Sequence, residues 1–305
     1  MKIITLTLNP AFDTHCKTEY FRLGHESFFE ILSKDAGGKG INISRALNIV
    51  KTDNTAIVVV GKENGEEYCK KLDENGLKYI PLFVDGRIRE NIILHDRTDL
   101  ETRVSFNGFT VDSRLLSDVV KAIGEIDDDT IITLTGSNPK GINVSDVKEF
   151  VKALKKKGAK VVIDNRSFTL SDILETKPLL IKPNRDEISG YIGREINTVD
   201  EMLDVAKDLC QKGVENVLIS SGENGAVLAC KGGAFKVSPP KITAISTIGA
   251  GDSMIAGFIY AYISGKTKSD CLKYAVSFGT AACLQKGTLP PDIKDIQKTF
   301  QTTTD

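Results

Sequence analysis

Short β-branched runs alternate along the chain with longer amphipathic ones. "IITLTL" (3–8) and "AIVVV" (56–60) read as strands. "TIITLTG", "KVVIDN", "LLIKPN" and "VLISSG" follow, beginning at 130, 160, 179 and 217. Each carries a continuous apolar run, as expected of strands covered on both faces. Between them, Ile43, Ala46, Leu47 and Val50 recur at helical spacing within 41–50. "SDVKEFVKALKKKG" (145–158) and "TVDEMLDVAKDLCQKG" (198–213) are amphipathic, and the second opens on a Thr cap and closes on a Gly. The alternation predicts an α/β fold, a Rossmann-like mostly parallel sheet with helices on both faces. After 225 the pattern changes: "GAVLACKGGAFKVS" predicts a hairpin around Lys231-Gly232-Gly233 and an antiparallel edge.

Two stretches do not fit this alternation. Residues 12–34 and 87–108 look like strands with polar interruptions, which predicts a small separate β-sheet outside the main core. No linker, repeat or low-complexity tract divides the chain, so residues 1–305 are expected to form one domain. The C-terminal "QTTTD" reads as frayed.

Composition narrows the class. The chain is 41% hydrophobic and 27% charged, with a formal net charge of -1. No global field favours nucleic acid or an anionic membrane, so an anionic ligand must be held by local groups. No apolar run approaches the roughly 20 residues that span a bilayer. The N-terminal "MKIITLTLNP" reads as a strand rather than a signal peptide. The six cysteines form no C-x-x-C pair and the three histidines are scattered, which argues against a zinc site or a disulfide framework. Reduced thiols fit a cytoplasmic location.

Candidate chemistry collects at glycine-rich stretches. In "STIGAGDS" (246–253), Gly249, Ala250 and Gly251 precede Asp252. Ile255, Phe258, Ile259 and Tyr262 keep helical spacing, so a helix is expected to start near Asp252 or Ser253. Bare backbone at a helix N-terminus lets a phosphate approach its unpaired N–H groups. A carboxylate there repels a resting phosphate, but it can take a proton from a hydroxyl that attacks one. The alternative is an ordinary Asp N-cap. In "AGGKGIN" (36–42), Gly37, Gly38 and Gly40 are expected to precede a helix, with Lys39 among them and Asn42 in its first turn. This is not a Walker A loop, because Gly40 follows Lys39. In "SSGENGA" (220–226), Gly222 and Gly225 suit either a nucleotide against bare backbone or a tight turn. In "IKPNRDEI" (181–188), Asn184 and Glu187 suit either a Mg²⁺ hydration shell or a capping box.

As a set and in this order, these stretches resemble the ribokinase-like (PfkB) family of sugar kinases. "NPAFD" (9–13), "AGGKGIN", "GSNPKG" (136–141), "KPN" with N-x-x-E (182–187), "SSGENGA" and "STIGAGDS" match its signature regions from residue 5 to about 290. Within the family, "LNPAFD", Arg87-x-Arg89-x-Asn91 and "FNGF" (106–109) look like the phosphosugar branch, 1-phosphofructokinase and tagatose-6-phosphate kinase. The resemblance implies a small β lid, placed at the two odd segments. It implies transfer of the ATP γ-phosphoryl group to a sugar-phosphate hydroxyl, with fructose 1-phosphate the first substrate and tagatose 6-phosphate the alternative. Asp252 would be the base, and Gly249, Ala250 and Gly251 the anion hole. Asp13 would bind sugar hydroxyls, as would Asn42 with the Gly37, Gly38 and Gly40 loop. Lys39 and Arg89 would face the substrate phosphate, with Asn91 beside them. Lys182, Asn184, Ser220, Gly222 and Gly225 would hold ATP, and Asn184 and Glu187 would organise Mg²⁺ through water. Partners would be the sugar phosphate and ATP, with no nucleic acid or membrane and a homodimer through the lid. Two departures stand out. Ser246 replaces the Asp usual in members that bind K⁺, which argues against monovalent-cation activation. "IDNRSF" (163–168) replaces a Ser-rich stretch and leaves Arg166 without a role.

Two other classes compete. An NAD-dependent oxidoreductase needs G-x-G-x-x-G after the first strand, where this chain has Asn9-Pro10. A non-catalytic nucleotide or sugar sensor would be expected to lose the base, yet Asp252 is present.

Overall fold

The computed structural model describes residues 1–97 and 101–304. β1 (Lys2–Thr7) leads into β2 (Ala11–Lys17) and β3 (Glu30–Gly37), and α1 (Lys39–Ile49) returns to β4 (Thr55–Gly61). α2 (Gly65–Glu74) crosses to β5 (Tyr79–Val84), followed by β6 (Arg89–His95) and β7 (Glu101–Ser105). Helices and strands then alternate: α3 (Arg114–Ile123), β8 (Thr130–Gly136), α4 (Val144–Lys156), β9 (Lys160–Asn165), α5 (Leu170–Thr176) and β10 (Leu180–Ile181). They continue through α6 (Arg185–Ile192), α7 (Val199–Gln211) and β11 (Asn216–Ser220) to the hairpin β12 (Ala226–Cys230) and β13 (Gly233–Val237). α8 (Ala250–Ile263), α9 (Lys268–Ala282) and α10 (Ile293–Thr302) follow.

Among the described residues the strands form two sheets. The larger has nine strands in the order β13-β12-β11-β10-β9-β8-β1-β4-β5. It is parallel from β5 to β11, and only the β12–β13 hairpin adds antiparallel pairs. Its inner strands are buried along almost their whole length, as their unbroken apolar runs require. Two apolar clusters line its faces. One holds Ile57, Tyr68, Val119, Val151 and Leu209; the other holds Leu47, Ile255, Phe258, Phe278 and Ile296. α8 is apolar on nearly every side because it lies inside the second cluster. No helix of the described residues is long and apolar enough to cross a membrane.

The two segments set aside in the sequence build the second sheet, in the order β3-β2-β6-β7. β2 runs parallel to β6, with Asp13 opposite Asn91, and antiparallel to β3. This small sheet leaves the core between β1 and α1 and again between β5 and α3. Residues 98–100 of the second segment lie outside the described residues.

The C-terminus corrects the expectation of fraying. α10 runs to Thr302, Thr303 is buried, and Thr304 exchanges two backbone hydrogen bonds with Ser238, at 2.8 and 3.1 Å. Backbone pairing to a distant strand end ties down a tail that its polar composition alone leaves free; Asp305 lies outside the described residues.

Candidate active site

β1 lies between β4 and β8, so successive crossovers leave it in opposite directions along the sheet. Open α/β sheets bind ligands outside the carboxyl ends of the strands at such a point. The polar residues gather there. α8 starts at Ala250, two or three residues earlier than the apolar spacing indicates. Gly249 takes the N-cap position in the left-handed conformation, φ 79°, which glycine adopts without steric penalty. Asp252 is therefore the third residue of the helix, and no side chain caps this end. The Asp N-cap alternative is thereby removed.

The Asp252 carboxylate is buried, 5% exposed. Asn42 Nδ2 donates to its Oδ2 at 2.8 Å. Burial pushes its pKa up to about 6, with Asp164 adding to the rise, against Lys39, the Asn42 hydrogen bond and Lys182. A helical carboxyl held near neutrality and tied through one oxygen is suited to accept a proton on the other.

Lys39 is the first residue of α1 and Gly40 the second, with Gly38 as N-cap. The glycine loop is thus two residues shorter than expected, and Lys39 and Gly40 lie inside the first turn. Lys39 Nζ binds Asp164 Oδ2 at 2.8 Å. Burial opposes charge on both partners. Asp164 and Asp252 nevertheless hold the Lys39 pKa above its ordinary value, and Lys182, Lys39 and Arg166 hold that of Asp164 below. Lys182 approaches the start of α8: a Cβ placed on Gly251 would lie 2.9 Å from its Nζ. A bare Gly251 lets that ammonium sit against the helix end without shifting.

The small sheet supplies the opposite wall. Asp13 Oδ1 accepts from Asn91 Nδ2 at 2.7 Å and from Arg103 Nη2 at 3.4 Å. Gly37 pairs with Ala11 at the root of β2 and β3. Arg89 is half-buried, and its Nε has no hydrogen-bond partner. Asn42 Oδ1 and Asn91 Oδ1 are also buried acceptors without a donor. Buried polar atoms left without a partner on α1 and β6 leave hydrogen bonds for a polar ligand to make. Arg87 does not join them. β6 begins at Arg89, and Arg87 is exposed 3.8 Å from Glu63, so of the Arg87-x-Arg89-x-Asn91 motif only Arg89 and Asn91 stand on the strand.

The remaining sequence-predicted residues sit at the ends of β10 and β11. Asn184 caps α6: its Oδ1 accepts from Glu187 N at 2.7 Å, and Glu187 Oε2 accepts from Asn184 N at 2.9 Å. The capping box is real, and it still leaves Glu187 Oε1 available. Asn184 bridges to Ser220, where β11 ends. Gly222 opens a single 3₁₀ turn and Gly225 follows it, both with positive φ. Among the described residues no group of three or more His, Cys, Asp or Glu is arranged to hold a metal. Glu187 and Asp164 line one cavity of about 460 Å³ together with Arg166, Gly190 and Tyr191. Few, hard oxygen donors around open space fit a Mg²⁺ ion that keeps most of its waters.

Sequence reasoning missed two residues here. Asp164 is not singled out by the sequence motifs, although an acid near the end of a parallel strand is a usable signal. Arg103 had no local signal, since only the pairing of β6 with β7 brings it to Asp13.

The pfkB family carbohydrate kinase model matches residues 29–295. The 1-phosphofructokinase of Borreliella burgdorferi is 33% identical over 97% of this chain and 95% of its own length. That of Haemophilus influenzae is 29% identical over 95% and 94%. Phosphofructokinase-2 from Escherichia coli, solved in complex with substrates and products, superposes with a TM-score of 0.92 at 25% identity, covering 99% of both chains. With the family model spanning most of its length, the chain belongs to the pfkB family of carbohydrate kinases.

Proposed function

We propose that this kinase transfers the γ-phosphoryl group of ATP to a hydroxyl of fructose 1-phosphate, as a 1-phosphofructokinase. The observation that carries the reading is the buried Asp252 at the bare N-terminal end of α8, with buried acceptors on Asn42 and Asn91 that lack donors. Sugar hydroxyls are the donors those acceptors lack. Asp13, Asn42 and Asn91 orient the sugar. Asp252 Oδ1 takes the proton as the hydroxyl oxygen bonds to the γ-phosphorus. The bond from phosphorus to the β–γ bridging oxygen breaks, and ADP leaves with that electron pair. The N–H groups of Gly249, Ala250 and Gly251, with Lys182, offset charge on the phosphoryl oxygens in flight. Lys182, Asn184, Ser220, Gly222 and Gly225 hold the nucleotide. Mg²⁺, when bound, neutralises phosphate charge, and Asn184 and Glu187 hold its water shell. Lys39 and Arg89 receive the phosphate that the sugar already carries.

The test is ADP release with fructose 1-phosphate, tagatose 6-phosphate, fructose and ribose. The reading expects the highest kcat/KM with fructose 1-phosphate. A preference for tagatose 6-phosphate would move the assignment within the branch, and turnover of none would favour a non-catalytic sensor.

We further propose that residues 1–305 act as one domain and that a second copy covers the lid. β3 and β7 are its edge strands. Phe28, Ile31 and Leu32 on or beside β3, and Val104 and Phe106 on or beside β7, are exposed. An unpaired edge with apolar side chains invites pairing. Sedimentation at micromolar concentration decides between monomer and dimer.

A further inference from the structure

The candidate active site lies at the carboxyl ends of the parallel strands. A second cavity, of about 700 Å³, opens at the other end of β11. It is bounded by α7, the start of β11, the β12–β13 turn and the first residue of α9. Its volume is in the range that holds a small molecule. Asn216 begins β11 and Ser220 ends it, so about 13 Å of strand separates the cavity from the nucleotide residues. Along α8 the rise from Asp252 to Tyr262, which lies under Lys268 of the cavity wall, is about 15 Å. The cavity shares no residue with the site described above.

Positive charge gathers in its wall. Lys207, Lys231 and Lys268 stand against one acid, Glu215, in a chain whose formal net charge is -1. Lys207 has an exposed partner in Asp204 at 3.2 Å, an ion pair worth little in water. Lys231 and Lys268 have no carboxylate partner among the described residues. Lys268 is held by neutral groups instead. Its Nζ donates to Asn216 Oδ1 at 2.8 Å and stands 4.7 Å from the centre of the Tyr262 ring. Asn216 is 2% exposed, and its Nδ2 donates to Leu179 O at 2.7 Å, which fixes the way the amide faces. A polar side chain buried at the start of an apolar strand is costly unless bonded. Both ends of this one are bonded, and one of them pins a lysine of the cavity wall. Lys268 is also the first residue of α9, where a cation opposes the partial positive charge of the helix end. The helix gains nothing from it. The rest of the wall is aliphatic at Val214 and Ala229, and the Cys210 thiol donates to Ala229 O at 3.1 Å. Among the described residues no aromatic side chain lines the cavity, so a nucleotide base has no ring to stack on.

We propose that this cavity is a second ligand site, for a small aliphatic phosphate monoester. The two ammonium groups without a carboxylate match the roughly two negative charges of its phosphate. Lysine binds phosphate as a point charge, and the aliphatic wall takes the carbon chain. The site is independent of which sugar the enzyme phosphorylates.

The experiment is isothermal titration calorimetry of the full chain, with fructose 1-phosphate, Mg²⁺ and a non-hydrolysable ATP analogue filling the active site. The probes are glycerol 3-phosphate, glycerol and AMP. Wild type should bind one glycerol 3-phosphate, AMP more weakly, and glycerol not at all. Lys268→Ala should raise the Kd for glycerol 3-phosphate on the order of 10- to 100-fold, as the loss of a charged partner does. Lys231→Ala should raise it less, because that lysine stands on an exposed turn. Lys268→Ala takes a cation from a helix start, so its melting temperature and its kcat should stay at wild-type values. Lys231→Ala keeps the test decisive even if the other variant folds poorly. No binding of glycerol 3-phosphate by wild type, or one Kd shared by wild type and both variants, would overturn the site. Tighter binding of AMP than of glycerol 3-phosphate would overturn the aliphatic class of ligand. Failure of wild type to turn over fructose 1-phosphate would count against the phosphosugar reading alone.

Discussion

The nine-stranded sheet and the four-stranded lid bury different things. β1, β4, β8 and β9 are closed on both faces, and the groups that Asp252 depends on stand on their ends and on the helices packed against them. β3 is exposed over its first four residues, and β6 and β7 carry polar residues among their apolar ones. The base, Lys39, Asp164 and Lys182 are thus fixed by the core before any ligand arrives. Asp13, Arg89, Asn91 and Arg103 are carried on a thin layer with little apolar support of its own. Chemistry that needs preorganised charge is placed on the rigid body, and recognition that can be completed by the ligand is placed on the lid. Core substitutions should therefore act on turnover, and lid substitutions on substrate affinity and choice.

The strongest test of this division is Asp252→Asn. The side chain keeps its size and loses its proton acceptor, so turnover should fall by roughly 10²–10⁴ while ATP affinity stays. Stability should move the other way. The folded carboxyl has its pKa raised to about 6 by burial. Its contribution to stability is therefore full at low pH and is lost as pH rises through about 6, so at pH 7 the charge is a burden. Removing it should raise stability by up to about 3 kcal/mol, from the size of the shift. In the wild type, kcat/KM should drop tenfold per unit below pH 6 as the base protonates. Normal turnover in the Asn variant would end the assignment of the base.

Next in size is Arg89→Ala on the lid. It should reduce kcat/KM for the phosphorylated sugar by on the order of 2–3 kcal/mol and spare the unphosphorylated parent. A fall in kcat for both sugars would put Arg89 with the core groups and blur the comparison.

The same contrast decides how much was legible in the sequence. Core strands announce themselves by unbroken apolar runs, and the glycine stretches before α1 and α8 mark bare backbone, so Asp252, Asn42 and Lys39 could be found locally. The lid was legible as an exception to the alternation, because its strands carry polar residues at positions that a two-sided core would forbid. What could not be read was set by partners far away in sequence. Lys39 meets Asp164 across 125 residues, and Arg103 meets Asp13 across 90. Arg87 lies off the small sheet for a local reason: Gly86 turns with φ 97° just before it, and the strand begins only at Arg89.

A smaller effect is expected at the outer edge of the lid. Phe28→Ser with Leu32→Ser removes two exposed apolar side chains. Burying one such side chain is worth about 1.5–3 kcal/mol, so the dimer dissociation constant should rise at least about tenfold. kcat with saturating substrate should change little, since neither residue reaches the core. A variant that stays dimeric, or a wild type that is monomeric, would remove the lid contact.

The smallest effect separates two uses of one residue. Glu187 already accepts the Asn184 backbone N–H, and it also lines the cavity beside Asp164. Glu187→Gln keeps an acceptor at the third helical position, where Gln serves a capping box as Glu does. Only the charge is lost. If the carboxylate holds a hydrated Mg²⁺ through its other oxygen, the Mg²⁺ concentration for half-maximal rate should rise by about tenfold, the low end for an outer-shell partner. The melting temperature should not move. Glu187→Ala should do both, since it removes the cap as well, and the difference between the two variants isolates the metal role. An unchanged Mg²⁺ titration in the Gln variant, with a lower melting temperature only in the Ala variant, would make Glu187 a capping residue alone. The metal would then be held by Asp164 and the nucleotide, on the core side of the site.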